Sequence, residues 1–401
     1  MPGPAIESPP VGGDPTMPAP APTRRLDFID ALRGLVICLM VLDHVRDLTH
    51  RDALLFDPTD LSRTTAALFF TRWITHLCAP TFVLLAGVSI FLQARKGKAG
   101  WPLSRFLLAR GLWLVALEVT LVNFGFDLSF GVFLQVIYAI GIGMVFMAAM
   151  VHLPRAWVLA LGLLIVFGHD ALDAVRMDGT DVSASLWHLL VQPGPLPFGM
   201  VTYPALPWFG IMCVGYGIGG IYLAEPDRRT RVLAIMGVAM LVLFFILRVP
   251  NIYGDPVPWT KPAHSGWTTL AVLNVTKYPP SLAYVLLTLG ITTLGGLALE
   301  RAPAWLLRPL LAFGRTPMLT YLLHLYVARL LVLAIGAAWG IPASDFLDSL
   351  GDPSRLIRDG WGLPLWGTYA VWISVLVILY PIARAYARFK ATQRRWWTSY
   401  I

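Results

Sequence analysis

The hydrophobic positions along this chain fall into long uninterrupted runs, with no short alternating stretches of the kind that soluble sheets show. Ten of these runs are long enough to cross a hydrocarbon layer of about 30 Å, which takes roughly 20 helical residues. A further apolar stretch, Trp305 to Phe313, is too short to span and would lie at the interface or re-enter the membrane. The pattern predicts an all-α, polytopic membrane bundle of about ten transmembrane helices, with eleven as the alternative.

Composition strengthens the membrane prediction. Hydrophobic residues make up 57% of the chain and charged residues only 13%, whereas about a quarter is charged in soluble domains. The formal net charge of the chain is +8, and in membrane proteins such an excess usually reflects Lys and Arg in cytoplasmic loops that face anionic lipid. We therefore expect membrane lipids and no nucleic acid as partners. The three cysteines all fall in apolar runs, which offers neither a disulfide framework nor a metal site.

Charge in the connections predicts the orientation. Lys and Arg concentrate in alternate connections and Asp in the others, which places both termini in the cytoplasm. Residues 1–23 form a Pro-rich, disordered cytoplasmic tail, 24–390 the transmembrane domain, and 391–401 a basic and aromatic cytoplasmic tail. The first apolar run ends in charged residues and has no small-residue cleavage site, so we expect it to stay in place as an anchor.

Two ionisable residues in the first apolar run are the leading candidates for a functional site. Eleven helical steps separate Arg33 from His44, which returns nearly to the same face after a rise of roughly 16 Å. A guanidinium suits phosphate capture and an imidazole suits proton transfer, and ionisable groups inside a span usually have a function. The alternative is structural: Arg33 would be a helix-end cation near lipid phosphates, and His44 an interfacial residue paired with Asp43 or Asp47.

The remaining intramembrane polar residues sort by depth. One group is expected near the outer surface: Asp43, His44, Arg72, His76, Glu118 and Lys277. Asp255 is expected in the outer loop that precedes the eighth span. A second group is expected near the inner surface: Arg33, Arg110 and Arg315. Glu118 fits either an ion pair with Arg110 or a proton relay. His324 fits an interhelical hydrogen bond.

Several motifs in a fixed order resemble one family. They read DALRGLVICLMVLDHVRD, FFTRWITHLCAPTFVLLAGVS, YPALPWFGIMCVGYGIG, YGDPVPW, KYPPSLAYVLLTLG and FGRTPMLTYLLHLY. In this order they resemble the bacterial relatives of the heparan-α-glucosaminide N-acetyltransferase catalytic-domain family, from about Arg25 to at least His324. The spacing of Arg33 and His44 also resembles the first-helix motif of membrane acyltransferases that O-acylate bacterial surface glycans.

The resemblance implies an integral membrane enzyme that takes an acyl group, usually acetyl, from cytoplasmic acyl-CoA and gives it to an acceptor on the outer side. His44 matches the catalytic histidine of the glycan O-acylating group, and Arg33 matches its motif partner. In the lysosomal branch the catalytic histidine lies in the loop after the first helix. That loop here contains His50, which does not stand at the matching position.

These observations lead to a specific assignment. We expect His44, oriented by Asp43, to act as general base or acyl carrier, with His76 and Glu118 as further catalytic residues. The CoA phosphates would be held by Arg33, Arg110 and Arg315. The acceptor, a saccharide or envelope component, would be bound by Arg72, Lys277, Tyr278, Asp255 and Trp208. We expect no metal, and acetyl-CoA as the acyl donor.

Other readings remain open. A secondary transporter or flippase could use the same polar residues to carry a small polar or glycolipid solute, although the two halves of the chain show no convincing repeat. A scaffold that keeps the fold without chemistry is a third alternative. The expected location is the bacterial plasma (inner) membrane. The sequence leaves open the acceptor, the acyl chain length, N- against O-acylation, an acyl-histidine intermediate and the oligomeric state, with a homodimer as one arrangement.

Overall fold

The computed structural model describes residues 27–262, 265–393 and 398 of the 401-residue chain. The predicted N-terminal tail and most of the predicted C-terminal tail therefore lie outside the described residues. Seventeen α-helices are found in the described part. They are α1 Asp27–Thr49, α2 Arg51–Leu55, α3 Ala66–Trp73, α4 Cys78–Arg95, α5 Trp101–Leu117, α6 Asn123–Asp127, α7 Val136–Met150, α8 Arg155–Gly168, α9 Val182–Leu190, α10 Ala205–Ile218, α11 Pro226–Arg248, α12 Thr268–Leu273, α13 Leu282–Leu299, α14 Ala304–Arg315, α15 Pro317–Ala338, α16 Ser354–Arg358 and α17 Leu365–Thr392.

The predicted all-α membrane fold is confirmed. Within the described residues, eight helical segments are long and apolar enough to span a bilayer: Ala66–Arg95, Trp101–Asp127, Arg155–Leu172, Ala205–Leu223, Pro226–Arg248, Leu282–Leu299, Pro317–Ala338 and Leu365–Thr392. Two more helices complete the predicted ten. The first is α1, whose 23 residues extend roughly 35 Å but include six charged side chains. The second is α7, an apolar helix of 15 residues.

Helix α1 lies at the centre of the bundle. It packs against α4, α13, α14, α15 and α17, and most of its side chains are buried. Among them are charged residues that a lipid-facing helix would not tolerate, such as Asp43 and Arg46, which are 8% and 1% exposed. Because α1 is enclosed by other helices, its polar side chains must find their partners within the protein.

The short helix α14 corresponds to the apolar stretch that is too short to span. It packs directly against the N-terminal half of α1, where two glycines allow the backbones to approach closely. A Cβ atom on Gly34 would collide with the Leu310 carbonyl, and one on Gly314 would collide with the Asp30 carbonyl. Small residues at such crossings are the usual means of close helix packing in membranes. The 12 residues of α14 therefore support α1 and do not form an eleventh span.

Two spans are irregular near the expected polar level. The second span changes from α-helix to a 3₁₀ turn at Ile74–Leu77, shortly before Pro80, whose missing N–H interrupts the helical hydrogen bonds. The third span widens into a π-helical turn at Glu118–Val122. Local departures of this kind re-aim side chains and free backbone carbonyls, and they are frequent at functional sites.

The long connections on one side of the bundle are tied to one another. Strands β1 (Val132–Leu134), β2 (Gly194–Leu196) and β3 (Gly199–Val201) form a sheet in the order β1–β3–β2, with β1 parallel and β2 antiparallel to β3. The Asn274 side chain donates to the Thr59 carbonyl at 3.1 Å, and His50 pairs with Leu363. The connections joined in this way are the Asp-rich ones. Their position on one side of the bundle agrees with ten spans that run in alternating directions.

Candidate active site

A buried carboxylate surrounded by cations lies near the C-terminal end of α1. The Arg72 guanidinium donates to both Asp43 oxygens at 2.9 and 3.1 Å, and the Thr75 hydroxyl donates to Oδ1 at 2.6 Å. The Arg46 guanidinium lies 2.8 Å away and the Lys277 ammonium 3.8 Å away. One negative charge therefore faces three positive charges. We call these five residues the Asp43 cluster.

His44 forms a hydrogen bond with a second histidine. Its Nδ1 lies 2.7 Å from Nε2 of His324 on α15, and the two rings meet edge to edge, with centroids 4.9 Å apart and planes inclined by 23°. The edges of Phe126 and Tyr321 enclose the His44 ring, with centroids at 4.7 and 6.3 Å. His44 nevertheless stays partly exposed, and its Nε2 makes no hydrogen bond with any residue that the structure describes.

Of the predicted acceptor-binding residues, Arg72 and Lys277 belong to the Asp43 cluster, and Tyr278 and Trp208 are connected to it through Lys277 and Tyr203. The Lys277 ammonium lies 5.0 Å from the centroid of the Tyr278 ring, and the Tyr278 hydroxyl lies 3.5 Å from that of Tyr203. Trp208 is fully buried and packs against Tyr203 with centroids 5.0 Å apart. Burial raises the pKa of Tyr278, but the neighbouring cations Lys277 and Arg72 lower it further, so its pKa lies below the usual value. A phenol of this kind gives up its proton more readily than a free tyrosine.

His76 is deeply buried beside the same residues. It is 4% exposed, and Nδ1 has no hydrogen-bond partner among the described residues. Its backbone carbonyl accepts a hydrogen bond of 2.7 Å from the Tyr284 hydroxyl, and the two rings meet edge to face at 5.6 Å. The structure thus places His76 close to the cluster but gives its ring no described proton partner.

A cavity opens beside the cluster on the side of the Asp-rich connections. Its volume is about 390 Å³, and its lining includes Arg46 and Arg72 of the cluster together with Asp47 and Asp57. Pockets of 300 to 1,000 Å³ are typical for small ligands, so this volume suits a small polar group such as a sugar ring. The cavity provides a polar approach to the cluster.

Two of the three arginines predicted at the inner end lie together. Arg33 donates to Asp30 at 3.0 Å and to the Ser89 hydroxyl at 3.1 Å. Arg315 lies 2.8 Å from Asp27 and 3.7 Å from the other Asp30 oxygen. Because Arg33 and Arg315 share Asp30, they form one polar group at the start of α1. The third, Arg110, lies on α5, whose main packing partner is α7.

Glu118 is not a member of the Asp43 cluster. It is fully buried, and its two oxygens accept from the backbone N–H groups of Gln135 at 2.9 Å and Tyr138 at 3.2 Å. These contacts cap the N-terminus of α7, where unpaired N–H groups and the helix dipole favour a carboxylate. These contacts to backbone N–H groups support a structural role for Glu118.

Asp255 likewise organises the loop before α13. It accepts from the Thr276 backbone and hydroxyl at 3.0 and 2.8 Å and from the Ser281 hydroxyl at 3.1 Å. The Arg248 guanidinium lies 3.7 Å away. Asp255 therefore holds the backbone that carries Lys277, and its contribution to the site is indirect.

His50 has a structural role that separates it from His44. Its Nδ1 accepts a hydrogen bond of 3.2 Å from the Asp52 backbone N–H and so caps α2. Burial lowers the pKa of His50 and the cations Arg46 and Arg51 lower it further, against the opposing effect of Asp52. His50 is thus a neutral cap whose Nδ1 lone pair is already used.

The sequence reading missed several residues of the site. Arg46 follows Asp43 by three residues, and Thr75 follows Arg72 by three, so helical spacing could have revealed both. No spacing in the sequence indicates that the hydroxyl-bearing rings of Tyr203, Tyr284 and Tyr321 lie near these residues. The expected interhelical role of His324 is confirmed, but only the structure identifies His44 as its partner.

Fold and site together define a multi-pass membrane protein whose central helix carries a buried carboxylate among cations and a histidine that bonds a second histidine on α15. The chain belongs to the family described as Heparan-alpha-glucosaminide N-acetyltransferase, catalytic, whose sequence profile matches residues 25–250, more than half of its length. The family places it among membrane acetyltransferases. A comparison with curated protein sequences gives no match. The matched region includes Asp43, His44 and Arg72 and ends before Lys277.

Proposed function

We propose that this protein moves an acyl group, in the first place acetyl, from cytoplasmic acyl-CoA to an acceptor on the outer side of the bacterial plasma membrane. The acceptor supplies a hydroxyl or amine and belongs to a glycan or another envelope component. The observation that carries the proposal is the partly exposed His44, whose Nδ1 is bound to His324 and whose Nε2 makes no hydrogen bond with the described residues. A histidine held in this way is suited to general base catalysis.

The chemistry follows from this geometry. The acceptor nitrogen or oxygen attacks the thioester carbonyl while His44 Nε2 takes the acceptor proton. The C–S bond then breaks, and the CoA thiolate receives the proton from the His44 imidazolium. Positive groups of the Asp43 cluster stabilise negative charge that develops on the carbonyl oxygen. The charges balance without a metal ion.

The inner end of α1 supplies groups for the acyl donor. Arg33 and Arg315 already engage Asp27 and Asp30, and the Arg315 side chain is 30% exposed. CoA phosphates would bind here by replacing the exposed Asp27 contact while Asp30 keeps both arginines in position. The rise of roughly 16 Å between Arg33 and His44 is the distance that the pantetheine arm would have to bridge.

The cavity beside the cluster supplies the acceptor subsite. Its arginines and aspartates offer donors and acceptors of the kind that sugar hydroxyl and amino groups need. Arg72 belongs both to this cavity and to the Asp43 cluster, so an acceptor bound there lies next to the cations of the proposed reaction centre. Tyr278 and Lys277, in the loop before α13, would contact an acceptor that extends from the cavity towards the Asp43 carboxylate.

The test is acyl transfer by purified protein in detergent, with radiolabelled acetyl-CoA and a panel of amino sugars and hydroxyl-bearing sugars. Label should appear on an acceptor with wild type and fall to background with His44→Ala, while both proteins stay folded by thermal unfolding. Full transfer by His44→Ala would sink the assignment. A transporter would instead be stabilised by its solute and not by CoA in thermal-shift measurements, without label on any acceptor.

A further inference from the structure

The hydrogen-bond network around His324 fixes where its ring carries a proton. Nδ1 of His324 lies 3.2 Å from the backbone carbonyl oxygen of Thr320, one turn earlier on α15. A carbonyl oxygen can only accept a hydrogen bond, so Nδ1 must carry the hydrogen. In the neutral ring the other nitrogen, Nε2, then has a lone pair and can only accept.

This constraint passes on to His44. His324 Nε2 lies 2.7 Å from His44 Nδ1, and because it accepts, His44 Nδ1 must donate. The hydrogen of neutral His44 is therefore on Nδ1, and the lone pair is on Nε2. Nε2 is the nitrogen that makes no hydrogen bond with the described residues, on a side chain that remains partly exposed. Imidazoles in water favour neither nitrogen strongly, so a fixed tautomer needs such a partner.

Asp43 does not perform this task. It precedes His44 by one residue, so the two side chains leave α1 about 100° apart. Its described contacts are with Arg46, Arg72 and Thr75 and, at longer range, Lys277. The orienting partner expected from the neighbouring aspartate is thus supplied by a histidine on another helix.

We propose that His324 is a positioning residue that fixes the tautomer of His44, so that Nε2 stands ready as the base that accepts the acceptor's proton. This inference rests on the proposed function for its chemistry. During transfer, His44 Nε2 takes the proton and later gives it to the thiolate, while His324 neither gains nor loses one. The hydrogen bond to His324 strengthens when His44 is cationic, because charge-assisted bonds are the stronger kind.

The first test reads the tautomer directly and needs no activity. Protein labelled with ¹⁵N at the histidine rings is placed in lipid nanodiscs, and its NMR spectrum shows which nitrogen of each neutral ring carries hydrogen. The His44 signals are identified by their loss in His44→Ala. We expect hydrogen on Nδ1 of His44 in wild type and a mixture of tautomers in His324→Ala. Hydrogen on Nε2 of His44 in wild type would overturn the proposal.

The second test uses kinetics with a matched pair of variants. In His324→Gln an amide oxygen can still accept from His44 Nδ1, whereas His324→Ala offers no acceptor. We expect kcat to fall about 10²- to 10⁴-fold in His324→Ala and less than about tenfold in His324→Gln, with KM for acetyl-CoA unchanged in both. His152→Ala is the control, because His152 bonds Ser104 far from this site.

The outcomes separate the two proposals. Equal loss of kcat in the Gln and Ala variants, or a change confined to KM, would contradict the positioning role. If His324→Ala fails to fold, the wild-type spectrum still decides the tautomer. If wild type transfers no acyl group although His44 carries its hydrogen on Nδ1, the positioning role stands and the proposed function fails.

Discussion

Asp43→Asn removes the negative charge on which three cations converge. Arg46, Arg72 and Lys277 lie within 2.8, 2.9 and 3.8 Å of the Asp43 carboxylate, and their side chains are 1%, 14% and 7% exposed. Asparagine has nearly the same shape and keeps one oxygen that can accept from Thr75. The substitution therefore tests charge and leaves packing almost unchanged.

The expected magnitude follows from burial. Each ion pair at about 4 Å is worth roughly 4 kcal/mol of attraction at an effective dielectric constant of 20. Much of this attraction offsets the cost of removing the ions from water, but deleting one partner leaves the others buried and unpaired, which costs about 3–5 kcal/mol. We expect Asp43→Asn to lower the free energy of unfolding by about 3 kcal/mol, at the lower end because asparagine keeps one acceptor.

A matched control lies on the same helix. Asp47 contacts Arg46 at 2.6 Å, but its carboxylate is 42% exposed. Because water reaches the Asp47 carboxylate and Arg46 keeps its ion pair with Asp43, Asp47→Asn should change stability by no more than about 1 kcal/mol. Both variants are compared with wild type by denaturant unfolding in the same detergent. Equal losses for the two variants, or a loss below about 1 kcal/mol for Asp43→Asn, would refute the account of the cluster.

Three further predictions test other parts of the structure. His50→Ala should lower the free energy of unfolding by about 1 kcal/mol because the cap of α2 is missing, and His50→Asn should lower it less, both with acyl transfer intact. Because folding lowers the pKa of His50, the stability of the wild type should decline as the pH falls below 6.5. Both variants should lose this pH dependence in a pH series of unfolding measurements. Gly314→Leu should lower the stability measured by thermal unfolding by about 1–3 kcal/mol or more, because the added side chain forces α14 away from α1. Gly295→Leu should change it little, because a Cβ atom added at Gly295 meets no neighbour. Lys277→Met should raise the pKa of Tyr278, measured by NMR titration of ¹³C-labelled tyrosine rings, and an unchanged pKa would contradict the described contact.

The spans could be predicted from the sequence because a bilayer imposes length and hydropathy on each segment alone. The same reasoning explains α14, whose apolar stretch is too short to cross and which instead supports α1 through Gly34 and Gly314. Depth along the spans also predicts that polar residues of α1, the second span and the loop before α13 lie at one level. The structure agrees, because Asp43 contacts both Arg72 and Lys277.

The partners of individual side chains could not be predicted in the same way. His44 and His324 are 280 positions apart, and nothing local in either segment indicates their contact. In the sequence, Glu118 is an acid without an evident partner in an apolar span, yet its partners are the backbone N–H groups of Gln135 and Tyr138. Nearly every residue has a backbone N–H group, so the sequence does not show which of them bind a side chain. Tertiary packing decides such contacts, and residue type alone does not show them.

The most direct test of the central claim is acetyl transfer across a bilayer by protein reconstituted in liposomes. Radiolabelled acetyl-CoA is supplied on the side of the Arg33 end of α1, and an amino sugar or glycan acceptor on the opposite side. We predict labelled acceptor with wild type and with His50→Asn, and none with His44→Ala at equal protein incorporation. Equal labelling by His44→Ala, or transfer only when donor and acceptor share one side, would contradict the account.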